Sequence, residues 1–383
     1  MTRVLLTAFL CLLLVQACKS WGNPEPGDPA PLVDFDATVK VKRIWSTGVG
    51  DGMGKAGISM PPVFADGVIY TADAKGQLTA VGAEKGNKIW TIKTKQAFSG
   101  GPAVGESLLV MGTLDGTVLA FDAADGSERW SARVSSEVLA VPGISENIVV
   151  VRCIDGRVFG LDANTGTRVW IYDSSVPLLT LRVNTNILLR GSTVFVGYPD
   201  GTVAALKVAD GTVMWSQSVV SPDGRTELER LADIGTQMVI VASDLIVSSY
   251  KKRIASLAAD SGRLLWFKEI PSFTGVQVDR TNLAVSDFGG NLWLLDRRNG
   301  STLWKIDQLT NRGLTLPAFY GDLVVVGDKE GYLHWINISD GTFVAREREG
   351  KKGFASAPLT VGTTLYVLTS KGTLSAYRAG AAL

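Results

Sequence analysis

Few side chains in this 383-residue sequence could support acid–base or metal chemistry. It contains one histidine, His334, and three cysteines, Cys11, Cys18 and Cys153, none of them adjacent to another. A single histidine excludes a multi-histidine metal site and most acid–base relays. His334 lies in a stretch of alternating apolar residues that is typical of a strand, which favours a structural role. We therefore predict no catalytic centre, no metal site and no cofactor.

The chemistry that the N-terminus favours is acylation. Arg3 precedes an apolar run from Val4 to Val15, which is too short to remain as a membrane-spanning helix. This segment resembles the signal of bacterial lipoproteins, in which a cysteine follows the cleavage point and carries lipid. We expect a signal peptide over residues 1–17 and lipidation of Cys18, the alternative being a buried free thiol. In such lipoproteins an aspartate after the acylated cysteine favours retention at the inner membrane. Because this chain has Lys19 there, the resemblance implies a location at the periplasmic face of the outer membrane.

Residues 18–37 combine four prolines with Gly, Asp and Glu, and they predict a flexible tether after the acylated cysteine. At roughly 3.3 Å per residue, such a tether would reach about 60 Å when fully extended. Cys11 would leave with the signal and Cys18 would carry lipid. Cys153 would then remain alone, so no internal disulfide is expected.

The composition excludes some partners. The 38 basic and 37 acidic residues nearly cancel, so no broad electrostatic field would attract nucleic acid. Hydrophobic residues make up 46% of the chain, which indicates a large core. The 42 glycines and 14 prolines are more than a helical protein would carry. The sequence favours a β-rich globular protein that recognises its partners by local shape.

One pattern returns from residue 39 onward: a short apolar run, an Asp-Gly-like turn, a second apolar run, another Gly turn and then an aromatic residue. The aromatic position recurs about every 40 residues, the period of a four-stranded propeller blade. A helical solenoid has a similar period, but here the apolar runs alternate in steps of two and Gly turns interrupt them. We predict that the aromatic rings fill the wedges between blades. They are Trp90, Trp130, Trp170, Trp215, Trp266, Trp304 and Phe343.

The count of repeats predicts an all-β, eight-bladed β-propeller over residues 38–379, with a short tail over 380–383. The last apolar stretch, from Phe354 to Tyr377, supplies three strands but no fourth. The unpaired stretch from Val39 to Thr47 should complete that blade, with Trp45 in the aromatic position. Closure of this kind removes the free edges of an open sheet.

Two connections between blades are unusually long in this register. They run from Trp170 to Ile187 and from Trp215 to Val239. Both join the last strand of one blade to the first strand of the next, so they should lie side by side on one face. Long loops at fixed places in a compact repeat commonly carry function.

The first long loop contains Leu179, Leu181 and Arg182, a combination of apolar and cationic residues that favours a protein-binding patch. The alternative is that the leucines fold back over the blade as core. The second long loop contains charged residues, for which solvated charge is an equally good interpretation. These are Glu227, Glu229, Arg230 and Asp233.

Three stretches resemble the BamB family of outer-membrane assembly lipoproteins beyond the generic repeat. They are residues 179–182, residues 226–233, and Gly327-Asp328-Lys329-Glu330-Gly331-Tyr332-Leu333-His334-Trp335-Ile336-Asn337 with its continuation to Ala345. The repeat itself is shared with quinoprotein dehydrogenases, so only these stretches are specific. With the lipoprotein start and the eight repeats, the resemblance covers nearly the whole chain.

The resemblance implies a non-enzymatic scaffold of the machinery that folds β-barrel proteins into the outer membrane. It implies binding to a periplasmic POTRA domain of BamA through Leu179, Leu181, Arg182 and Asp233. A further hypothesis is that exposed strand edges or the central funnel receive unfolded outer-membrane proteins by strand addition.

Two positions depart from the family pattern. Val183 stands where the family has glycine after the arginine, and Gly235 stands where it has a second aspartate, so the acidic half of the contact differs from that of the family. The alternative function is a dehydrogenase that uses pyrroloquinoline quinone. Such enzymes need a catalytic aspartate beside a metal-held quinone and often an adjacent cysteine pair, which this sequence lacks.

Overall fold

The structure is a computed structural model. It describes residues 27–54, 58–177, 179–181, 185–221, 225–226, 228–235, 237–250, 253–272 and 274–382. Within these ranges the chain is all-β, and its strands form eight four-stranded antiparallel sheets. No helix in the described ranges is long and apolar enough to cross a membrane.

The strands of the first half are β1 (Val39–Gly48), β2 (Val63–Ala65), β3 (Val68–Ala72), β4 (Gln77–Gly82), β5 (Lys88–Lys93), β6 (Phe98–Gly105), β7 (Leu108–Thr113), β8 (Thr117–Asp122), β9 (Glu128–Arg133), β10 (Gly143–Ser145), β11 (Ile148–Arg152), β12 (Val158–Asp162), β13 (Arg168–Tyr172), β14 (Leu188–Arg190), β15 (Thr193–Gly197) and β16 (Thr202–Lys207). Those of the second half are β17 (Val213–Ser218), β18 (Val239–Val241), β19 (Asp244–Ser248), β20 (Ile254–Ala258), β21 (Leu264–Lys268), β22 (Gln277–Val278), β23 (Asn282–Ser286), β24 (Leu292–Asp296), β25 (Thr302–Ile306), β26 (Ala318–Tyr320), β27 (Leu323–Gly327), β28 (Tyr332–Asn337), β29 (Phe343–Arg348), β30 (Leu359–Val361), β31 (Thr364–Leu368) and β32 (Thr373–Ala382).

Each sheet is one blade of an eight-bladed propeller, as predicted. Blade one contains β2 to β5, and the following blades take four strands each in chain order up to β29. Blade eight contains β30, β31 and β32 with β1 as its fourth strand. The predicted completion of the last blade by the N-terminal strand is therefore confirmed.

The pairing of β1 with β32 extends further than the sequence indicated. Val39 lies opposite Ala382 and Gly48 lies opposite Thr373. Residues 380–382 therefore belong to a strand, where a tail from residue 380 was expected. The reason is that β1 begins at Val39 and offers backbone partners along the whole length of β32.

The core lies between neighbouring blades because the second and third strands of each blade bury both of their faces. Val110 and Val118 of blade two, for example, share one buried cluster with Val149 and Phe159 of blade three. The fourth strand instead alternates between buried and exposed residues. This arrangement removes the apolar side chains of the second and third strands from water, which is the main favourable term in folding.

The tryptophan of each fourth strand fills the wedge that the sequence predicted, but the prediction for Phe343 in blade seven is wrong. Ala345 takes the tryptophan position there, opposite Trp335 of β28, and the Trp335 ring packs in the cluster shared with blade eight. The Trp170 indole N–H donates to the carbonyl of Val208 at 2.8 Å, so blade three is bonded to blade four. Trp45 makes the same bond to Ala83 at 3.1 Å across the closure of the ring. Gly211 lies against the Trp170 ring with a φ of 71°, and a Cβ there would come within 2.6 Å of the ring. The glycine thus serves both the turn of blade four and the packing of that blade against the tryptophan of blade three.

The segment before β1 differs in part from the flexible tether that its composition predicted. Residues 30–38, which we call the N-terminal strap, lie along β29 on the outside of blade seven. The Ala30 N–H donates to the carbonyl of Thr310 at 2.9 Å, and the Thr38 N–H donates to that of Val344 at 3.0 Å. A proline-rich segment cannot build a core, but its backbone groups still bond to a neighbouring strand. The predicted signal peptide and Cys18 lie outside the described residues.

We predict that Trp170→Ala destabilises the propeller by about 3–5 kcal/mol, because it removes a large buried ring and leaves a cavity between two blades. The matched control is Ile171→Ala in the same strand, since Ile171 is 45% exposed and Trp170 only 7%. The control should cost less than about 1 kcal/mol. Guanidinium unfolding followed by circular dichroism measures both changes. Equal losses would contradict the wedge role.

Candidate functional site

All connections from the fourth strand of one blade to the first strand of the next lie on one side of the ring, which we call the loop face. The two longest are residues 173–187, which lead into β14, and residues 219–238, which lead into β18. The hairpin turns between second and third strands lie on the same face. The prediction that two neighbouring long loops share a face is therefore confirmed.

The two long loops are bonded to each other. The Leu181 N–H donates to Asp233 Oδ1 at 3.1 Å, and the Thr185 hydroxyl donates to the carbonyl of Ile234 at 3.0 Å. The second loop is also attached to the blades beneath it, because the Tyr250 N–H donates to the carbonyl of Asp233 at 2.8 Å. These bonds turn two loops that are distant in sequence into one surface.

Asp233 is buried in this structure and does not face solvent. Only 1% of its surface is exposed, and its carboxylate points to the Leu181 amide. Burial raises the pKa of Asp233, although the Leu181 N–H and the charge of Arg152 oppose the shift. The sequence proposed Asp233 as a direct contact for a partner, whereas the structure gives it the role of joining the loops.

The leucines of the first loop are divided between surface and interior. Leu179 is 39% exposed, so the interpretation of this residue as core does not apply. Leu181 is half-buried beside Asp233. Arg182, the cation of the proposed contact, lies outside the described residues.

The charged residues of the second loop mostly serve the loop itself. Glu229 accepts the backbone N–H of Arg225 at 2.6 Å and that of Thr226 at 3.2 Å, which closes a turn. Leu228, beside it, is 66% exposed and adds apolar surface to the loop face. Glu227 lies outside the described residues.

Arg152, under the two loops, is a site residue that the sequence interpretation missed. It is 1% exposed, and its guanidinium carbon lies 5.4 Å from the centre of the Tyr198 ring. Burial lowers the pKa of Arg152 and raises that of Tyr198. The repeat register contains a signal for it, because most other blades place a small residue at the same position. Those residues are Ala72, Gly112, Gly197, Ser248, Ser286 and Gly327.

An aromatic pair, also missed, extends the apolar part of the loop face. Tyr250 and Phe288 occupy the same repeat position in the hairpin turns of blades five and six. Their ring centres are 5.2 Å apart in an edge-to-face arrangement, and Phe288 is 48% exposed. Exposed aromatic residues next to a long loop are typical of protein-binding surfaces.

Comparison with known proteins identifies the family. A family profile described as "Outer membrane protein assembly factor BamB" matches residues 34–100, 74–306 and 300–382. The chain belongs to the BamB family. Membership places it among the outer membrane protein assembly factors, as the resemblance in the sequence implied.

BamB relatives match along nearly their whole length. The chain is 48% identical over 370 residues to the BamB of Pseudomonas aeruginosa, covering 97% of both proteins. It is 41% identical over 372 residues to that of Xanthomonas campestris pv. campestris, with 94% of this chain and 92% of the relative covered. For Escherichia coli BamB the identity is 33% over 385 residues, with 97% and 98% covered.

Solved structures agree with this assignment. The crystal structure of BamB from Moraxella catarrhalis superposes with a TM-score of 0.81 at 26% identity, covering 88% of this chain and all of that one. A quinohemoprotein alcohol dehydrogenase from Comamonas testosteroni gives a TM-score of 0.70 at 14% identity, with 88% and 76% covered. The likeness to the dehydrogenase shows a shared fold and nothing more.

His334, within the stretch most similar to the BamB family, has the structural role that its strand pattern favoured. It is fully buried, and its Nε2 lies 3.0 Å from Asp328 Oδ2. Its Nδ1 accepts the Arg346 Nε–H at 3.3 Å, so Nε2 donates to the carboxylate in the neutral ring. Burial lowers the pKa of His334 despite the nearby carboxylate. Among the described residues, no three His, Cys, Asp or Glu side chains converge as a metal site.

We predict opposite pH effects for two aspartate-to-asparagine changes in this BamB-family propeller. Burial raises the pKa of Asp233 above 3.8, so the wild-type protein loses stability as the pH rises from that value through the raised pKa. Asp233→Asn does not titrate and keeps an oxygen for the Leu181 amide. Its stability relative to the wild type should therefore rise with pH over this interval.

The control is the exposed Asp210, whose pKa the Thr212 backbone N–H lowers. Because the pKa of Asp210 is lowered in the folded protein, the wild type gains stability as the pH rises from that lowered pKa to 3.8. Asp210→Asn does not titrate, so its stability relative to the wild type should fall over that interval. Unfolding midpoints between about pH 3 and 7 test both variants. The same sign for the two would contradict the buried position of Asp233.

Proposed function

We propose that this chain is a non-enzymatic lipoprotein scaffold of the β-barrel assembly machinery and that it binds a periplasmic POTRA domain of BamA. The observation that carries the proposal is the bonded pair of long loops, which presents Leu179 on the loop face over blades four and five. The names of the relatives support the assembly role. The BamA contact is our inference from the loops and from the family resemblance.

The arrangement suits a protein partner for a physical reason. A flexible loop must lose conformational freedom when it binds, and this loss reduces affinity. Here the Leu181–Asp233 hydrogen bond already orders the two loops. The exposed side chains of Leu179 and Leu228 can then be covered by the partner with less ordering cost. Phe288 offers a further apolar anchor in a neighbouring blade.

The acidic half of the family contact is different in this chain. Asp233 is buried, and Gly235 replaces a second aspartate. The Gly235 N–H instead donates to the carbonyl of Ser248 at 2.8 Å, so this position fastens the loop to blade five. We propose that the contact with BamA depends mainly on the leucines and Arg182, with Asp233 acting as an internal support.

We also propose that Cys18 carries the lipid that anchors the protein at the periplasmic face of the outer membrane. Unfolded outer-membrane proteins are a further proposed partner. The exposed side chains of the outer strand β21 support this proposal, because Leu264 is 40% and Phe267 is 50% exposed. Apolar side chains along an edge strand suit the addition of an extended segment.

We predict that Leu181→Ala combined with Arg182→Ala weakens capture of the purified BamA periplasmic domain by more than about 30-fold, since loss of central contacts typically costs 2 kcal/mol or more. Leu303→Ala is the matched control, because this leucine lies on the outer strand of blade six and is 53% exposed. The control should bind normally, and both proteins should unfold like the wild type. Normal capture by the double variant would place the contact elsewhere.

A second prediction concerns the anchor. Cys18→Ala should move the protein from the outer-membrane fraction to the soluble periplasmic fraction and abolish incorporation of labelled fatty acid. Cys153→Ala is the control, because Cys153 is fully buried in blade three and should accept no lipid. Unchanged membrane association of the Cys18 variant would refute lipidation at this cysteine.

A further inference from the structure

The N-terminal strap changes the side from which the chain leaves the propeller. Strand β1 begins at Val39 on the face opposite to the loop face and reaches the loop face at Gly48. A chain that continued directly outward from Val39 would leave on the opposite face. The strap instead returns along β29, and Ala30 bonds to Thr310 in the loop between β25 and β26. That loop lies on the loop face.

Blade seven holds the strap mainly through its backbone. Arg312 Nη1 donates to the carbonyl of Ala30 at 2.8 Å, and Arg346 Nη1 donates to that of Val33 at 2.9 Å. Hydrogen bonds from a charged donor are stronger than those between neutral groups. Since the acceptors are carbonyl oxygens, these contacts require an extended backbone more than a particular side chain.

One side chain of the strap adds a specific contact. The Phe35 ring centre lies 5.7 Å from that of Phe343, and the Arg346 guanidinium carbon lies 4.9 Å from the Phe35 ring. Cation–π and ring contacts of this kind add stability to the half-buried aromatic ring. Prolines on either side of Ala30 also favour the extended conformation before binding.

A network of buried side chains within the propeller positions Arg312 and Arg346 without the help of the strap. Arg312 Nε donates to Asp328 Oδ2 at 2.7 Å, and their side chains are 3% and 0% exposed. Arg312 also contacts Glu330, and His334 Nε2 lies 3.0 Å from the same Asp328 oxygen. Arg346 in turn donates to His334. The donors thus form a prebuilt site, which we call the strap site.

We propose that the strap site is a binding site for an extended peptide, that residues 30–38 are its resident occupant, and that it makes the lipid-bearing N-terminus leave from the loop face. The last part rests on the proposed lipidation of Cys18. Residues 19–29 then separate Cys18 from the strap, and a chain of this length spans at most about 35 Å at roughly 3.3 Å per residue. The anchor and the proposed partner-binding loops then lie on the same side of the ring.

Hydrogen exchange of the full chain tests the strap site directly. In the wild type, the Ala30 and Thr38 amides, which donate to Thr310 and Val344, should exchange at least about tenfold more slowly than in Phe35→Ala, since opening of the strap exposes them. Asp36→Ala, at the exposed neighbouring position, should exchange like the wild type. Peptides from β15 report whether the propeller remains folded. A wild-type strap that exchanges at unprotected rates would overturn the proposal, as would equal acceleration in both variants.

Energy transfer tests the exit side with the acylated protein in phosphatidylethanolamine–phosphatidylglycerol vesicles that contain an acceptor lipid. A donor dye is placed at Leu114→Cys in a loop-face turn or at Asp125→Cys in a turn of the opposite face, while the buried Cys153 does not react. Transfer should be higher from the loop face, and Phe35→Ala should remove the difference. Higher transfer from the opposite face in the wild type would refute the exit side.

The hydrogen-exchange and energy-transfer experiments distinguish failure of the strap site from failure of the proposed function. Loss of acylation would abolish vesicle binding but would leave the exchange result unchanged. Loss of BamA binding would affect neither arm. Slow exchange of the Ala30 and Thr38 amides that Phe35→Ala removes therefore supports the strap site even if the anchor or the partner is assigned wrongly.

Discussion

The antiparallel pairing of β1 with β32 joins the first and last strands of the propeller within one blade. Val39 lies opposite Ala382 and Gly48 lies opposite Thr373. Without this fourth strand, blade eight would present the open edge of β32 and the ring would not close. Closure fixes the order of the blades and the side on which each connection lies. Both long loops therefore emerge as neighbours on a rigid support, and the strap begins at a fixed place.

Features that repeat in the sequence could be predicted because each follows from local patterns. The blade number, the closing strand and the tryptophan wedges follow from alternating apolar runs, Gly turns and the Trp spacing. Phe343 was assigned to a wedge by its spacing alone, although it lies two residues before the tryptophan position. The long loops were found as departures from the same register. The last strand was placed too short at its end, since nothing in residues 380–382 marks a strand until Val39 is available as a partner.

The details of the candidate site could not be predicted because they depend on contacts between distant segments. Asp233 reads as a surface charge in the sequence, and only the bond to Leu181 and the packing around Ile234 show that it is buried. The strap has the composition of a tether, and the arginines that hold it lie 282 and 313 residues away in the chain from the carbonyls they bond. Arg152 could have been identified from the sequence, because most other blades have a small residue at the equivalent repeat position.

Two buried carboxylates on the loop face show how the same type of group serves different purposes. Burial alone would raise the pKa of both Asp233 and Asp328. The pKa of Asp328 is nevertheless lowered, because His334, the Tyr332 amide and Arg312 donate to its carboxylate. The pKa of Asp233 stays raised, because the effect of burial exceeds that of the Leu181 amide, its own amide and the charge of Arg152. No described residue donates to its Oδ2.

Breaking a buried ionic arrangement is costly, but keeping it adds little net stability compared with apolar packing. The better account of both carboxylates is that they select a conformation. The Asp328 network is nearly saturated with donors and fixes Arg312 in the orientation that reaches the Ala30 carbonyl. The Asp233 carboxylate holds the two long loops against each other through the Leu181 amide, so the loops are ordered before any partner binds. Each carboxylate thus fixes a surface segment, the paired loops in one case and the strap in the other.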